Sequence, residues 1–396
     1  MFEAQRDDMK IQHINFTPLL NINKGQNPQN NSVHRLNFTG DKFAKSTEPD
    51  LKTYIDKMSA KMSVGKNVEF FLDALKTIDT NDRRAQKPLS IADIGCCDGA
   101  LCRTLKDFLP VSTNYYGIDL SDGMLEAGRT ADKALLEFKT NYIQGNAYDV
   151  DKIFSKNHVD AIILSSIMHE LYSYADEEHN EPAYSKDSIK HFMQSAFEAL
   201  KPGGILIIKD PATPHSDPYE PIKICNASKT DGKIPPVENE EELASADITK
   251  LCTLDKLKRF CMDFFPAQDQ NEWDGDTCIV PRWLVTEFVR HRKWLATPEN
   301  WAYEIKENYG TLRPDEISEF AVEIGFDTIK ADNISIPNEV NIYKILDGEF
   351  ELRDIEDNIL DLESFPMFLE VVLRKPREHC DKFNQRWEEV RKRLSC

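Results

Sequence analysis

Glycine is scarce in this chain. Sixteen of 396 residues are glycine, about 4% against a usual share of about 7%. Basic charge is also short: 49 Lys and Arg face 68 Asp and Glu, a formal net charge of −19. That balance disfavours a life on nucleic-acid phosphates or an anionic membrane surface. No apolar run approaches the roughly 18 residues that a membrane-spanning helix needs. The opening MFEAQRDDMK has no apolar core of the secretory type. The nine cysteines form no CxxC pair and no Cys/His zinc spacing. These absences leave a reduced, cytoplasmic protein with no membrane partner and no metal site as the expectation.

What glycine there is falls in one place. Eight of the sixteen lie between residues 95 and 204, which marks tight turns or close backbone approaches. In that region short apolar runs alternate with helical spacing. Strands are predicted at 89–94, 114–119, 140–144, 159–165 and 204–209, and helices near 99–109, 121–137 and 186–200. Such alternation predicts a parallel sheet covered on both faces. From Pro211 to Pro281 the pattern breaks: eight prolines and the acidic cluster 238–243 interrupt it. Helical spacing returns at 254–265, 282–294 and 299–308. A helix over 314–324 starts on Pro314 and stops before Gly325, and strands follow at 326–336 and 367–374. The expected organisation is a loosely ordered arm (1–45), a helical lead-in with the core (46–212), and a mostly helical insertion or lid (213–310). A closing helix with the last strands (311–375) and a terminal helix (376–396) complete it.

Chemistry concentrates at Ile91-Ala-Asp93-Ile-Gly95-Cys-Cys97-Asp-Gly99. A strand ends in an acid, a glycine turns the chain, and a second glycine opens a helix whose N-terminus offers unpaired N–H groups. Asp119 ends the next strand, where a carboxylate can hold both hydroxyls of a ribose. A nicotinamide fingerprint would need glycine at Cys97 and prefers one at Ala100. The segment instead resembles the first motif of class I S-adenosylmethionine-dependent methyltransferases, with Asp93, Gly95 and Gly99 in place and Cys97 departing from the central glycine. Asp119-Leu120-Ser121 is similar to the family's second-strand motif. Gln144-Gly145-Asn146-Ala147 is similar to its third, with Asn146 in place of the usual aspartate. Leu200-Lys-Pro-Gly-Gly204 is similar to its turn into strand five.

The resemblance implies a Rossmann-like α/β fold: a seven-stranded sheet with its last strand antiparallel, helices on both faces and a helical insertion. It also implies S-adenosylmethionine as cofactor, held by Asp93, Gly95, Cys97, Gly99, Asp119, Leu120, Asn146, Ala147 and Ser165. In this family the loop after strand four lies between cofactor and substrate. There the chain reads Ser165-Ser166-Ile-Met-His169-Glu170, so His169 is the candidate base, with Glu170 orienting it or carrying charge. The alternative is that both residues brace the next helix. Ser173 stands where HExxH would need a second histidine, which excludes a zinc protease. Asp210, after strand five, either contacts substrate or starts a turn. The basic run 290–293 either receives an acidic substrate or phosphate or, as the favoured reading, is the solvated end of a helix, where cations are favourable. A methyl transfer to a small organic acceptor is expected. A protein or RNA acceptor, or a silent cofactor-binding protein, are the alternatives.

Overall fold

The computed structural model describes residues 65–78, 88–110, 112–135, 139–213, 217–227, 236–294, 298–334, 348–360 and 365–377. The arm expected over 1–45 and nearly all of the terminal helix expected over 376–396 lie outside these residues.

Helix α1 (Gly65–Lys76) leads into β1 (Ser90–Ile94), α2 (Ala100–Leu105), β2 (Asn114–Asp119), α3 (Asp122–Lys133) and β3 (Thr140–Gln144). Helix α4 (Val150–Ile153), β4 (Val159–Ser165), α5 (Met168–Ser173), α6 (Lys186–Ala199) and β5 (Leu200–Pro211) follow. The sheet closes with α11 (Pro314–Ile324), β9 (Asp327–Ile334) and β11 (Phe368–Arg374), in the order β3-β2-β1-β4-β5-β11-β9. β11 lies between β5 and β9 and is antiparallel to both. This is the expected seven-stranded Rossmann-like sheet with its last strand reversed.

The strands are apolar without alternation because both faces are covered. Their two-residue period still divides the core. Ile91, Ala161, Ile163, Ile205 and Ile207 face α1 through Val68, Phe71 and Leu75. Ala92, Ile94, Ile162, Leu164, Leu206 and Ile208 face α6 and α11 through Ile189, Phe192, Met193, Ile317 and Ala321. Helix α11 starts on Pro314 with the Glu316 carboxylate accepting the Arg313 N–H at 2.9 Å, and stops at Gly325 with φ 108°. That left-handed residue ends the helix as a glycine can at little cost.

The insertion holds α7 (Glu240–Ser245), α8 (Thr253–Asp263), α9 (Arg282–Trp294) and α10 (Pro298–Glu304). It also holds β6 (Pro221–Cys225), β7 (Glu272–Asp274) and β8 (Thr277–Pro281), which the helical spacing did not announce. With β10 (Glu351–Arg353) these form a second, antiparallel sheet in the order β10-β6-β8-β7. Ile222, Ile224, Cys278, Val280 and Leu352 pack there against Leu257, Phe260, Leu284 and Phe288 of α8 and α9.

Candidate cofactor and acceptor site

The first motif forms the turn from β1 into α2. Gly95, Cys97 and Gly99 all take left-handed backbone, with φ 68°, 52° and 75°. Cys97 therefore keeps the conformation of the glycine it replaces, at a cost of about 1 kcal/mol. The Cys97 N–H donates to Asp119 Oδ2 at 2.9 Å, and the Ser121 N–H donates to Asp119 Oδ1 at 2.9 Å. Asp119 thus ties the β1 turn to the β2 turn. An ionised carboxylate has about four acceptor positions, so these N–H bonds leave capacity for an outside donor such as a ribose hydroxyl. Burial raises the Asp119 carboxyl above its ordinary pKa, while the N–H donors of Ser121 and Cys97 pull it back. Asp93 is more deeply buried, and burial, then the charges of Asp119 and Asp98, push it up to about 8.

The clustered glycines answer to a tyrosine. A Cβ on Gly99 would sit 2.3 Å from Tyr142 Oη, one on Gly128 2.6 Å from Tyr142 Cζ, and one on Gly117 3.1 Å from Tyr142 Cδ1. Tyr142, from β3, lies under the cofactor turn, and its hydroxyl donates to the Asp98 carbonyl at 3.1 Å. Gly99 and Gly128 therefore make room for one ring, whereas a Cβ on Gly117 would first meet Cys96 Sγ, at 2.8 Å. Gly95 is crowded by Ile167, whose Cγ1 would lie 2.3 Å from an added Cβ. That contact sets the start of α5 against the β1 turn.

At the end of β3, Asn146 Oδ1 accepts the Tyr148 N–H at 3.0 Å, and Asn146 Nδ2 donates to Asp176 Oδ2 at 2.6 Å. Ala147 is buried beside it, Leu120 is half-buried, and Gln144 Nε2 donates to the Leu120 carbonyl at 3.0 Å. Ser165 ends β4, in register with Lys209 of β5. The nine residues expected to hold the cofactor thus lie in the loops and strand ends at one edge of the sheet, across β1 to β4. In a doubly wound sheet that carboxyl edge is where ligands bind.

Next along this edge is a buried polar cluster. His169 opens α5 and is 5% exposed. Its Nδ1 is 2.8 Å from Asp210 Oδ1, and Asp210 Oδ2 accepts the Met168 N–H at 2.8 Å. Asp210 thus bonds the ring from β5 and joins it to the start of α5. His169 Nε2 lies 3.7 Å from Glu307 Oε2, and the Tyr309 ring centroid is 5.0 Å from the imidazole. The Tyr174 hydroxyl donates to Glu307 Oε1 at 2.7 Å. Burial alone would lower the His169 pKa. The charge and hydrogen bond of Asp210, then Glu307 and Glu170, outweigh it and raise the group to about 9. At neutral pH the ring is an imidazolium between two carboxylates.

Glu287 of α9 accepts N–H bonds from Tyr309 at 2.8 Å and Gly310 at 2.6 Å. Burial pushes it up to about 7 against those donors, Arg290 and His169. Arg290 and His291, from the basic run, are themselves buried, and His291 Nε2 lies 2.9 Å from the Glu304 carbonyl. They belong to the interior of the insertion. Glu287, Glu307 and Asp176 carried no signal in the sequence, since each sits outside any motif. Among the described residues no group of three or more His, Cys, Asp or Glu is arranged to hold a metal ion. No described helix is long and apolar enough to cross a membrane.

A mostly parallel sheet whose carboxyl edge carries a left-handed glycine turn and a half-buried aspartate on the next strand has the arrangement in which open α/β sheets bind ligands. Residues 92–208, about three-tenths of the chain, match the family model of a methyltransferase domain. A methyltransferase domain over these residues agrees with the motif resemblance, which implies S-adenosylmethionine as the methyl donor. No curated protein matches the chain significantly. Among solved structures, one that it is similar to is a SAM-dependent methyltransferase from Methanosarcina mazei. That pair shares 12% identity over 75% of this chain and 97% of the other, with a TM-score of 0.36. Another is an S-adenosylmethionine-dependent methyltransferase from Mesorhizobium loti, 17% identical over 72% of this chain and 91% of the other, with a TM-score of 0.36.

Proposed function

We propose that the chain transfers the methyl group to a small organic acceptor, at oxygen, nitrogen or carbon. The observation that carries this reading is the closure of Glu307 and Tyr309 over His169 at the end of β4. Both residues follow α10 directly, so the acceptor side of the sheet edge is roofed by this chain's own side chains. A sheet edge covered in this way by the chain itself suits a compact ligand better than a macromolecular one. Residues 213–310 would then act as the lid.

The bound donor supplies a methyl already made electrophilic by a sulfonium. Asp119 would take the ribose hydroxyls, and Leu120, Asn146 and Ala147 the adenine. Asp93, Gly95, Cys97, Gly99 and Ser165 would surround the methionine end. The chain's main task is to hold the acceptor in line with the methyl. Where the acceptor must lose a proton, His169 would receive it once its own resting proton has left, so turnover climbs as pH approaches about 9. Glu170 adds negative charge beside the ring. A second reading is favoured by the ring's burial between Asp210 and Glu307: His169 as a cationic clamp that fixes the insertion to the core. Activity that falls above about pH 9 would select the clamp. The seven described cysteines are unpaired thiols, which supports a reducing, cytosolic setting.

The test is transfer of a tritiated methyl group to a cell lysate separated into small molecules, protein and RNA. Label in the small-molecule fraction is expected. Label confined to protein or RNA would overturn the acceptor class, and cofactor binding with no transfer to any fraction would mean a silent binder.

A further inference from the structure

We infer that Asp176, in the loop after α5, is a positioning residue for adenine recognition, replacing the negative charge that Asn146 cannot carry. The inference rests on the methyltransferase reading. The motif calls for an aspartate where Asn146 stands, and Asn146 Nδ2 donates to Asp176 Oδ2 at 2.6 Å. A carboxylate removed from the strand end thus returns in contact with it from a loop 30 residues away.

The two bonds of Asn146 decide which end of its amide is which. Its Oδ1 accepts the Tyr148 N–H at 3.0 Å, so the Nδ2 end is the one that meets Asp176. A side-chain amide has two acceptor positions and two hydrogens, so one of each remains. Adenine offers an amino donor beside a ring-nitrogen acceptor, the pattern that an amide reads with one acceptor and one donor. Without Asp176 the amide would be held at its Oδ1 end alone, by the Tyr148 N–H.

Asp176 is built to hold it. The residue is 5% exposed, and its Oδ1 accepts the His179 N–H at 3.1 Å. His179 Nδ1 lies 3.0 Å from Asp176 Oδ2, in ion-pair contact but out of line for a hydrogen bond, and its Nε2 lies 3.1 Å from Asp149 Oδ1. The backbones of Asp176 and Glu181 exchange two hydrogen bonds of 2.8 Å each, which pins the loop. Tyr148, whose N–H meets Asn146, has its ring 5.3 Å from both His179 and His191. The whole turn after β3 is therefore tied to this loop.

The experiment is a charge exchange: Asn146→Asp, Asp176→Asn and the double variant. Calorimetry with adenosylhomocysteine reads binding, and a thermal melt without ligand reads the fold. Asn146→Asp sets two carboxylates in contact, and Asp176→Asn removes the charge. Each is expected to weaken binding about tenfold. The double variant, which has the charge back on residue 146, is expected to return to within about threefold of the wild type. Asp176→Asn should raise KM for the donor and leave kcat at saturation unchanged. A lowered melting temperature with unchanged affinity would overturn the inference, as would a double variant no better than the weaker single. Failure of the wild type to bind adenosylhomocysteine is a different result, seen before any variant is compared, and it sinks the methyltransferase reading with this one.

Discussion

Replacing His169 with glutamine should cost stability at neutral pH and cost much less at alkaline pH. The imidazole is buried between Asp210 and Glu307, with its pKa raised from 6.5 to about 9. The folded state therefore binds this proton more tightly than the unfolded chain does. The resulting stabilisation is complete below about pH 6.5 and is lost as pH rises through about 9. A raise of that size corresponds to about 3 kcal/mol. Glutamine keeps a donor for Asp210 but cannot take the charge. The stability difference between wild type and His169→Gln should thus shrink by about 3 kcal/mol between about pH 6 and about pH 9.5. Glu287, at about 7, and Asp93, at about 8, titrate in the same window. Asp93 is present in both proteins and largely cancels in the difference, whereas Glu287 is held down by the His169 charge and shifts with the substitution, so the pH points are read on either side of about 7. Urea unfolding followed by tryptophan fluorescence at three pH values measures it. A difference that stays constant across the window would refute the ion-pair account of this cluster.

Three further outcomes follow from the same geometry. Gly128→Ala should lower stability by about 1–3 kcal/mol, because the new Cβ would lie 2.6 Å from Tyr142 Cζ and 2.7 Å from the Asp98 carbonyl; a thermal melt checks it, and an unchanged midpoint would deny the tyrosine its role. Lys375→Met should destabilise by about 3 kcal/mol in urea unfolding, since Nζ donates to Asn157 Oδ1 at 2.9 Å and to the carbonyls of Phe197 at 2.6 Å and Leu200 at 2.8 Å, all left without that donor. Asp93, raised to about 8, is mostly protonated at pH 7, so the cationic donor should release more protons on binding than adenosylhomocysteine; calorimetry in buffers of different ionisation enthalpy would show equal release if Asp93 lies away from the sulfonium.

The core sheet was legible because its signals are local and repeated. Five apolar runs mark its strands; three of them end in turns that carry motif residues, and a fourth motif, Leu200–Gly204, opens the fifth strand. Cys97 shows the limit of motif matching: the side chain departs, yet its φ of 52° keeps the backbone of the missing glycine. Gly128 had no account until Tyr142 was seen beneath it, nor Gly117 until Cys96 Sγ was seen beside it, since a residue's need for space depends on a neighbour distant in sequence. The second sheet was hidden for another reason. Its strands are three to five residues long, too short to establish a period. One of them, β10, joins β6 from 126 residues further along the chain, Glu351 pairing with Cys225. The residues that surround His169 were the least visible. Asp210 was read as a substrate contact or the start of a turn rather than as the partner of His169, and Glu307 lies in a loop that folds back from the insertion.

The central claim is that the turn Asp93–Gly99 and Asp119 form a cofactor site despite Cys97. Calorimetric titration of the wild type and Asp119→Ala with S-adenosylmethionine and adenosylhomocysteine tests it most directly. The account predicts micromolar binding of both ligands to the wild type. It predicts at least about tenfold weaker binding to Asp119→Ala, as expected when a charged hydrogen-bonding partner is lost. Wild-type protein that binds neither ligand, or an Asp119→Ala variant that binds them equally well, would contradict it.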